Sequence, residues 1–316
     1  MKNILSEIAD TAKPLKSGHL ADLSQMTPAD LPLLKEVWSG IDLERRRQIM
    51  SRLLELAHDN VELGFDVVFK HALKDPDADV RSQAIEGLWE NEDPGLIQPF
   101  VRILERDPSE KVQAAAAIAL GRFALLVELG EIRSEYREII VNSLLPVFEN
   151  AAKPIEVRKR ALEAIAPMSM TAVRDAIRKA YESRDERFMV GALYAMGHTC
   201  DKSWLPYVIR ELANADAEIR YEAAGACGEI GDEDAVVHLA EIIHDPDVEV
   251  RMAVIQALGK IGGNEAKRLL QLEANDSNVA IKEAVEQALS EIAAQQDLTL
   301  FTMKNIRGQH DEPSKN

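Results

Sequence analysis

The chain is 316 residues long, 46% hydrophobic but only 5% aromatic, with a formal net charge of −17. Such acidity argues against general nucleic-acid binding, which needs concentrated Lys and Arg to neutralise phosphate. No uncharged apolar run reaches the roughly 18 residues of a membrane span, and the first residues hold no signal-like apolar stretch.

Residues 1–26 are polar and poorly periodic, and are expected to hold one short helix and to be mobile at the start. Thr27-Pro28-Ala29-Asp30 then supplies a helix opening: a Thr N-cap, Pro at the first helical position and an acid at the third. Helices over 28–39 and 43–57 form an irregular hairpin, suited to capping a repeat array. Arg45-Arg46-Arg47 at the second helix reads as a solvated face, with contact to an anionic ligand as the alternative.

From about residue 60 onward the chain is governed by a repeat. Val80, Val112, Val157, Phe188, Ile219, Val250 and Ile281 are separated by 32, 45, 31, 31, 31 and 31 residues. Four residues after each come Ala84, Ala116, Ala161, Ala192, Ala223, Val254 and Val285. Four further on come Leu88, Leu120, Ile165, Met196, Cys227, Leu258 and Leu289. Offsets of 0, 4 and 8 put one apolar stripe on one side of a helix. Gly121, Gly197, Gly228 and Gly259 come directly after the last stripe position and read as helix stops. The preceding half of each repeat is also helical, as in 205–212 and 235–243, so each unit is a helix hairpin. One hairpin cannot cover its own apolar faces, and stacking buries them.

The 45-residue interval holds 14 more residues than the 31-residue period. It is expected to lengthen helices, the first continuing through 123–129 and the second spanning 131–150. Beyond Asp297, residues 298–303 are apolar without helical spacing and are expected to dock in extended form, with 308–316 disordered. The chain thus divides into an N-terminal segment 1–26, a capping pair 27–60, a solenoid 61–296 and a tail 297–316.

A polar pattern recurs in the turns. Six residues separate Asp75 from Arg81, Asn214 from Arg220, Asp245 from Arg251 and Asp276 from Lys282. These residues are expected to form a structural ladder from turn to turn, with Arg251 serving Asp245 and nearby carbonyls. Gln113 and Met189 interrupt it. Charge is otherwise uneven: residues 153–187 carry nine bases against six acids, and residues 231–296 carry five against thirteen.

The 31-residue unit with Val-Arg-x-x-Ala-x-x-x-Leu-Gly at 250–259 resembles HEAT-type repeats, especially the short variety of phycobilin lyase subunits. The resemblance covers about residues 60–294. It implies an all-α, right-handed α-α superhelix of about eight helix pairs. It implies little about function, since such repeats serve many roles.

Catalytic and metal motifs are missing. None of the seven histidines precedes a Glu, unlike the iron-binding pairs of proteins resembling deoxyhypusine hydroxylase. There is no His-Glu-x-x-His, no paired Cys-x-x-Cys, no phosphate loop and no Gly-x-Ser-x-Gly elbow. Cys227 sits at a core position and Cys200 in a turn, so no disulfide is required and a reducing, cytoplasmic setting is expected. No cofactor is expected, and an enzyme is disfavoured.

The resemblance also implies that the second helix of each pair lines the concave side. Offsets 2 and 6 point away from the core stripe. They are mostly polar elsewhere (Ser82, Glu86, Lys159, Glu163, Glu283, Gln287) but are Val190, Tyr194, Tyr221 and Met252 in three consecutive repeats, with Gly225 and Gln256. Ala114 and Ile118 make a weaker patch. Apolar side chains at solvent-facing positions point to a groove for another protein or peptide, unless self-association or the tail covers them. The expected function is a non-enzymatic interaction scaffold. The alternatives are a phycobilin-lyase-like subunit handling a bulky prosthetic group and a DNA-binding repeat protein using the basic segment.

Overall fold

The computed structural model describes residues 1–183 and 185–310, with side chains as far as residue 295. Among the described residues every regular element is a helix. The chain divides into two compact units, Met1–Met168 and Ser169–Asn316.

Unit 1 begins with α1 (Lys2–Ala9) and α2 (Ser17–Ala21) and continues in pairs: α3 (Leu31–Trp38) and α4 (Leu43–Asp59), α5 (Asp66–Ala72) and α6 (Ala78–Gly87), α7 (Ile97–Arg106) and α8 (Glu110–Glu128), α9 (Tyr136–Glu149) and α10 (Ile155–Ile165). Unit 2 holds α11 (Thr171–Glu182) and α12 (Glu186–His198), α13 (Leu205–Glu211) and α14 (Ala217–Ile230), α15 (Val236–Glu241) and α16 (Val248–Ile261), α17 (Gly263–Glu273) and α18 (Val279–His310). From α3 to α18 this makes eight pairs. In unit 1 the second helices α4, α6, α8 and α10 pack one on the next; in unit 2 the row is α12, α14, α16, α18. From α5 on in unit 1, and throughout unit 2, first helices cover these rows. This is the layering of an α-α superhelix. The stripe at offsets 0, 4 and 8 is its core: Val80, Ala84, Val112, Ala116, Leu120, Val250, Val254 and Leu258 are all fully buried.

Four of the repeat second helices open through an aspartate three residues before the aligning position. Asp77, Asp185, Asp216 and Asp247 accept amide hydrogen bonds from the first turns of α6, α12, α14 and α16. These caps satisfy donors that the helix itself leaves unpaired.

The recurrent glycines do not end helices. Gly121, Gly197, Gly228 and Gly259 lie inside α8, α12, α14 and α16. A Cβ at Gly228 would stand 2.8 Å from the Cα of Ala257, and one at Gly197 would stand 2.9 Å from the Cα of Ala226. Gly121 meets Ala164 and Gly259 meets Ala288 in the same way. The glycine admits the backbone of the next helix in the row, and a small residue at offset 7 of that helix completes the contact. The actual stop in α14 is Gly231, in the left-handed conformation at φ +67°.

Other expectations change as well. Residues 1–26 carry two α-helices, and Leu5, Ile8, Leu20 and Leu23 are buried. Their apolar spacing is too short to register as a period. The Arg45–Arg47 run is not a solvated face. Arg45 is buried and donates to the carbonyls of Ile8 (2.7 Å), Asp10 (3.0 Å) and Lys13 (2.9 Å). Arg46 pairs with Asp75 at 3.0 Å and Arg47 with Asp77 at 2.7 Å. In the long interval α8 does extend, to 19 residues, but α9 starts only at Tyr136. The amide of Glu131 closes back on the Leu126 carbonyl at 2.9 Å, and the chain turns through Gly130 at φ +75°. Finally, α18 is helical through residues 298–303, where the apolar composition suggests an extended segment. A helix already propagating through good helix formers continues without an apolar stripe. Of residues 308–316, expected to be disordered, 308–310 belong to α18 and 311–316 lie outside the described residues.

Candidate partner-binding surface

Offsets 2 and 6 of the second helices in unit 2 form the candidate face. Tyr221 is 40% exposed, and Tyr194 and Met252 are half-buried. Val190, expected to share this surface, is only 6% exposed. Ser82 and Ala114, at the same offset in unit 1, are each 9% exposed. Neighbouring helices in a row therefore shield the base of this position, and only long side chains emerge from it. Val190 is too short to do so.

Tyr194 stacks on His198, one turn along α12, with centroids 3.9 Å apart and planes at 19°. In the next helix of the row, α14, Gly225 stands one turn beyond Tyr221, at the offset of Tyr194, with open space where a Cβ would be. Beyond Met252 a pocket of about 210 Å³ opens between α16 and α18, lined by Met252, Gln256, Ala284, Gln287 and Glu291 among others. Exposed aromatic surface, a gap and an adjoining hollow thus succeed one another across four helices. In the weaker patch, Ile118 is exposed and Ala114 is covered.

The turn ladder has a different register from the one read in the sequence. Each arginine reaches the acid of the following repeat, not the acid of its own turn. Arg81 binds Asp107 through two bonds of 2.7 Å, while its third nitrogen takes the carbonyls of Asp75 and Pro76. Arg220 binds Asp245 at 2.7 and 2.9 Å and the carbonyls of Asn214 and Ala215. Arg251 pairs with Asp276, not Asp245. Asp75 is held by Arg46 and by the Trp38 indole N–H at 2.7 Å. Asn214 accepts the Asp216 amide and donates to Glu211. Lys282 makes no ladder bond among the described residues. Hydrogen bonds from Arg220 hold the Asp245 carboxyl below the ordinary carboxylate range.

The basic segment is largely committed to its own surroundings. Lys153 donates to the carbonyls of Leu104 and Glu105 and to Gln113. Arg158 caps the Phe148 carbonyl, and Arg160 is bound by Glu156 and Glu163. Arg174 pairs with Asp201 and Arg187 with Asp185. Arg184 lies outside the described residues. Cys227 is buried, which pushes its thiol up to about 12, and Cys200 is free and exposed. Among the described residues no group of three or more His, Cys, Asp or Glu is placed to hold a metal ion. No helix there is long and apolar enough to cross a membrane.

The family described as HEAT repeats matches residues 65–131 and 205–290. The chain is a HEAT-type repeat protein. No curated protein matches it by sequence. Among solved structures, the complex of CpcE and CpcF of phycocyanin lyase from Nostoc sp. PCC7120 is 17% identical, with a TM-score of 0.52 over 90% of this chain and 97% of that one. The Kap95:Nup1 complex is 13% identical, with a TM-score of 0.51 over 99% of this chain and 49% of that one. At these identities the likeness is one of fold. It agrees with the stacked pairs of this HEAT-type repeat protein and assigns no chemistry to its residues.

Proposed function

We propose that this protein is a non-enzymatic scaffold that holds a protein or peptide on the concave second-helix face of unit 2. The observation that carries this reading is the succession along one row of Tyr194 on α12, Tyr221 with the gap at Gly225 on α14, Met252 on α16 and the hollow toward α18. An exposed tyrosine offers a flat apolar ring with a hydrogen-bonding end, and methionine adapts to the shape laid against it. The two structures of similar fold are both complexes with a protein partner, which supports protein recognition in general. Two free cysteines fit a reducing compartment such as the cytoplasm.

The test is capture from a lysate of the native host by the wild type and by Tyr194→Ser/Tyr221→Ser, with bound proteins identified by mass spectrometry. The double variant is expected to lose a specific partner while its melting temperature stays nearly unchanged. Because Tyr194 also stacks on His198, the single variant Tyr221→Ser is run beside it and should weaken capture. Retention of every partner by both folded variants would refute the reading.

A further inference from the structure

A second surface lies on the first-helix side of unit 1 and is independent of the tyrosine face of unit 2. A groove of about 660 Å³ runs between α5 and α7, and a smaller one of about 190 Å³ adjoins it between α3 and α5. The two share Lys70 and Lys74, so they adjoin at these side chains and together make a two-part channel that spans three consecutive first helices. Its floor is apolar: Leu73 and Leu96 are buried beneath it, with Pro99 and Ile103 beside them.

Its rim is basic, in a chain whose net charge is −17. Lys35, Lys70, Lys74, Arg102 and Arg106 line it from three helices. The acids in the lining are already engaged. Asp75 holds Arg46, Asp107 holds Arg81 and Asp93 holds Lys70 at 3.2 Å. Among the described residues Lys35, Lys74 and Arg102 have no acidic partner, and Arg106 meets only its neighbour Glu105, at 3.9 Å. His71, beside Lys35 and Lys74 in the lining, is held under its ordinary value by burial and then by the Lys35 charge.

We propose that this channel binds an extended acidic peptide segment whose alternate residues are apolar. In an extended chain successive side chains point to opposite sides. One set can therefore rest on the floor while the carboxylates reach the rim. Helices packed about 8–10 Å apart make the channel roughly 20 Å long, which takes roughly six residues at about 3.3 Å each. Nucleic acid fits less well. It is bound through stacking on exposed aromatic rings and a broad basic field; here the floor is aliphatic and the rest of the chain is acidic.

The test uses the full chain and a fluorescein-labelled peptide of alternating Glu and Leu, roughly seven residues long, monitored by fluorescence anisotropy. Saturable binding is expected, weakening as salt rises. The variant Lys74→Glu/Arg102→Glu should weaken it at least about tenfold with an unchanged melting temperature, since neither side chain bonds within the fold. Lys74→Gln/Arg102→Gln serves if charge reversal impairs folding. Tyr221→Ser should bind the peptide as the wild type does, which separates this site from the proposed scaffold face. The proposal is overturned if the peptide shows no saturable binding up to about 1 mM, or if folded rim variants bind it unchanged. It is equally overturned if a Glu–Ser peptide or a short single-stranded DNA binds as tightly, since the surface would then read charge alone.

Discussion

At the scale of single residues, the ladder arginines are distinguished by what they leave behind. Arg220 makes four hydrogen bonds, two to Asp245 and two to carbonyls of its own turn. Without it, the buried Asp245 carboxylate keeps only the Asp247 amide. Arg220→Ala is therefore expected to destabilise by about 1.5–3 kcal/mol in urea denaturation at neutral pH. Arg251→Ala, which breaks one contact to Asp276, should cost less. The sign of the pH dependence comes from Asp245. Its folded value lies below the ordinary 3.8, so the pairing contributes fully above that value and is lost as pH falls through the folded one. The stability gap between wild type and Arg220→Ala should stay constant from neutral pH down to about 5 and narrow below about 4, leaving the part carried by the two carbonyl bonds. A gap that does not narrow in acid would contradict the pairing.

At the scale of elements, two glycines in one helix have opposite consequences. Gly225 and Gly228 both lie inside α14. Nothing stands within 4 Å of a Cβ built at Gly225, whereas one at Gly228 would collide with the backbone of Ala257. Gly225→Ala should stabilise by about 1 kcal/mol through helix propensity. Gly228→Ala should destabilise by about 1–3 kcal/mol through overpacking, despite the same gain in propensity. Shifts of the same sign in the two urea midpoints would refute the close approach at Gly228. These glycines also show which features a sequence leaves unread. Period, helix pairing and the core stripe are legible because burial imposes a regular spacing. The role of Gly228 is not, because it depends on a residue 29 positions away, Ala257. The ladder partner of Arg220 lies 25 positions on, in another turn, and is hidden for the same reason. The candidate face is legible as a pattern of residue types, but the burial of Val190 depends on how neighbouring helices shade its base.

At the scale of the molecule, the N-terminal segment is part of the fold of unit 1. Its carbonyls at Ile8, Asp10 and Lys13 are what Arg45 bonds. Removing residues 1–26 would leave a buried guanidinium without these acceptors and uncover the apolar side of α3 and α4, where Leu34 and Met50 lie. A buried charge stripped of its partners is strongly unfavourable. The truncated chain is expected to melt at a lower temperature than the full chain in calorimetry, and an unchanged profile would show that the segment is dispensable.

From α14 to α18 the row contacts repeat with the same parts: glycine at offset 9 against alanine at offset 7, and arginine at offset 1 against the acid of the next turn. A duplicated stretch of 219–249 inserted after Glu249 would therefore find matching neighbours on both sides. The first Gly228 would face the second Ala226, and the second Gly228 would face Ala257. Both copies of Arg220 would reach an Asp245. Such a chain grows by whole cassettes, and recombination that respects the 31-residue phase can change its number of recognition helices without redesigning any interface.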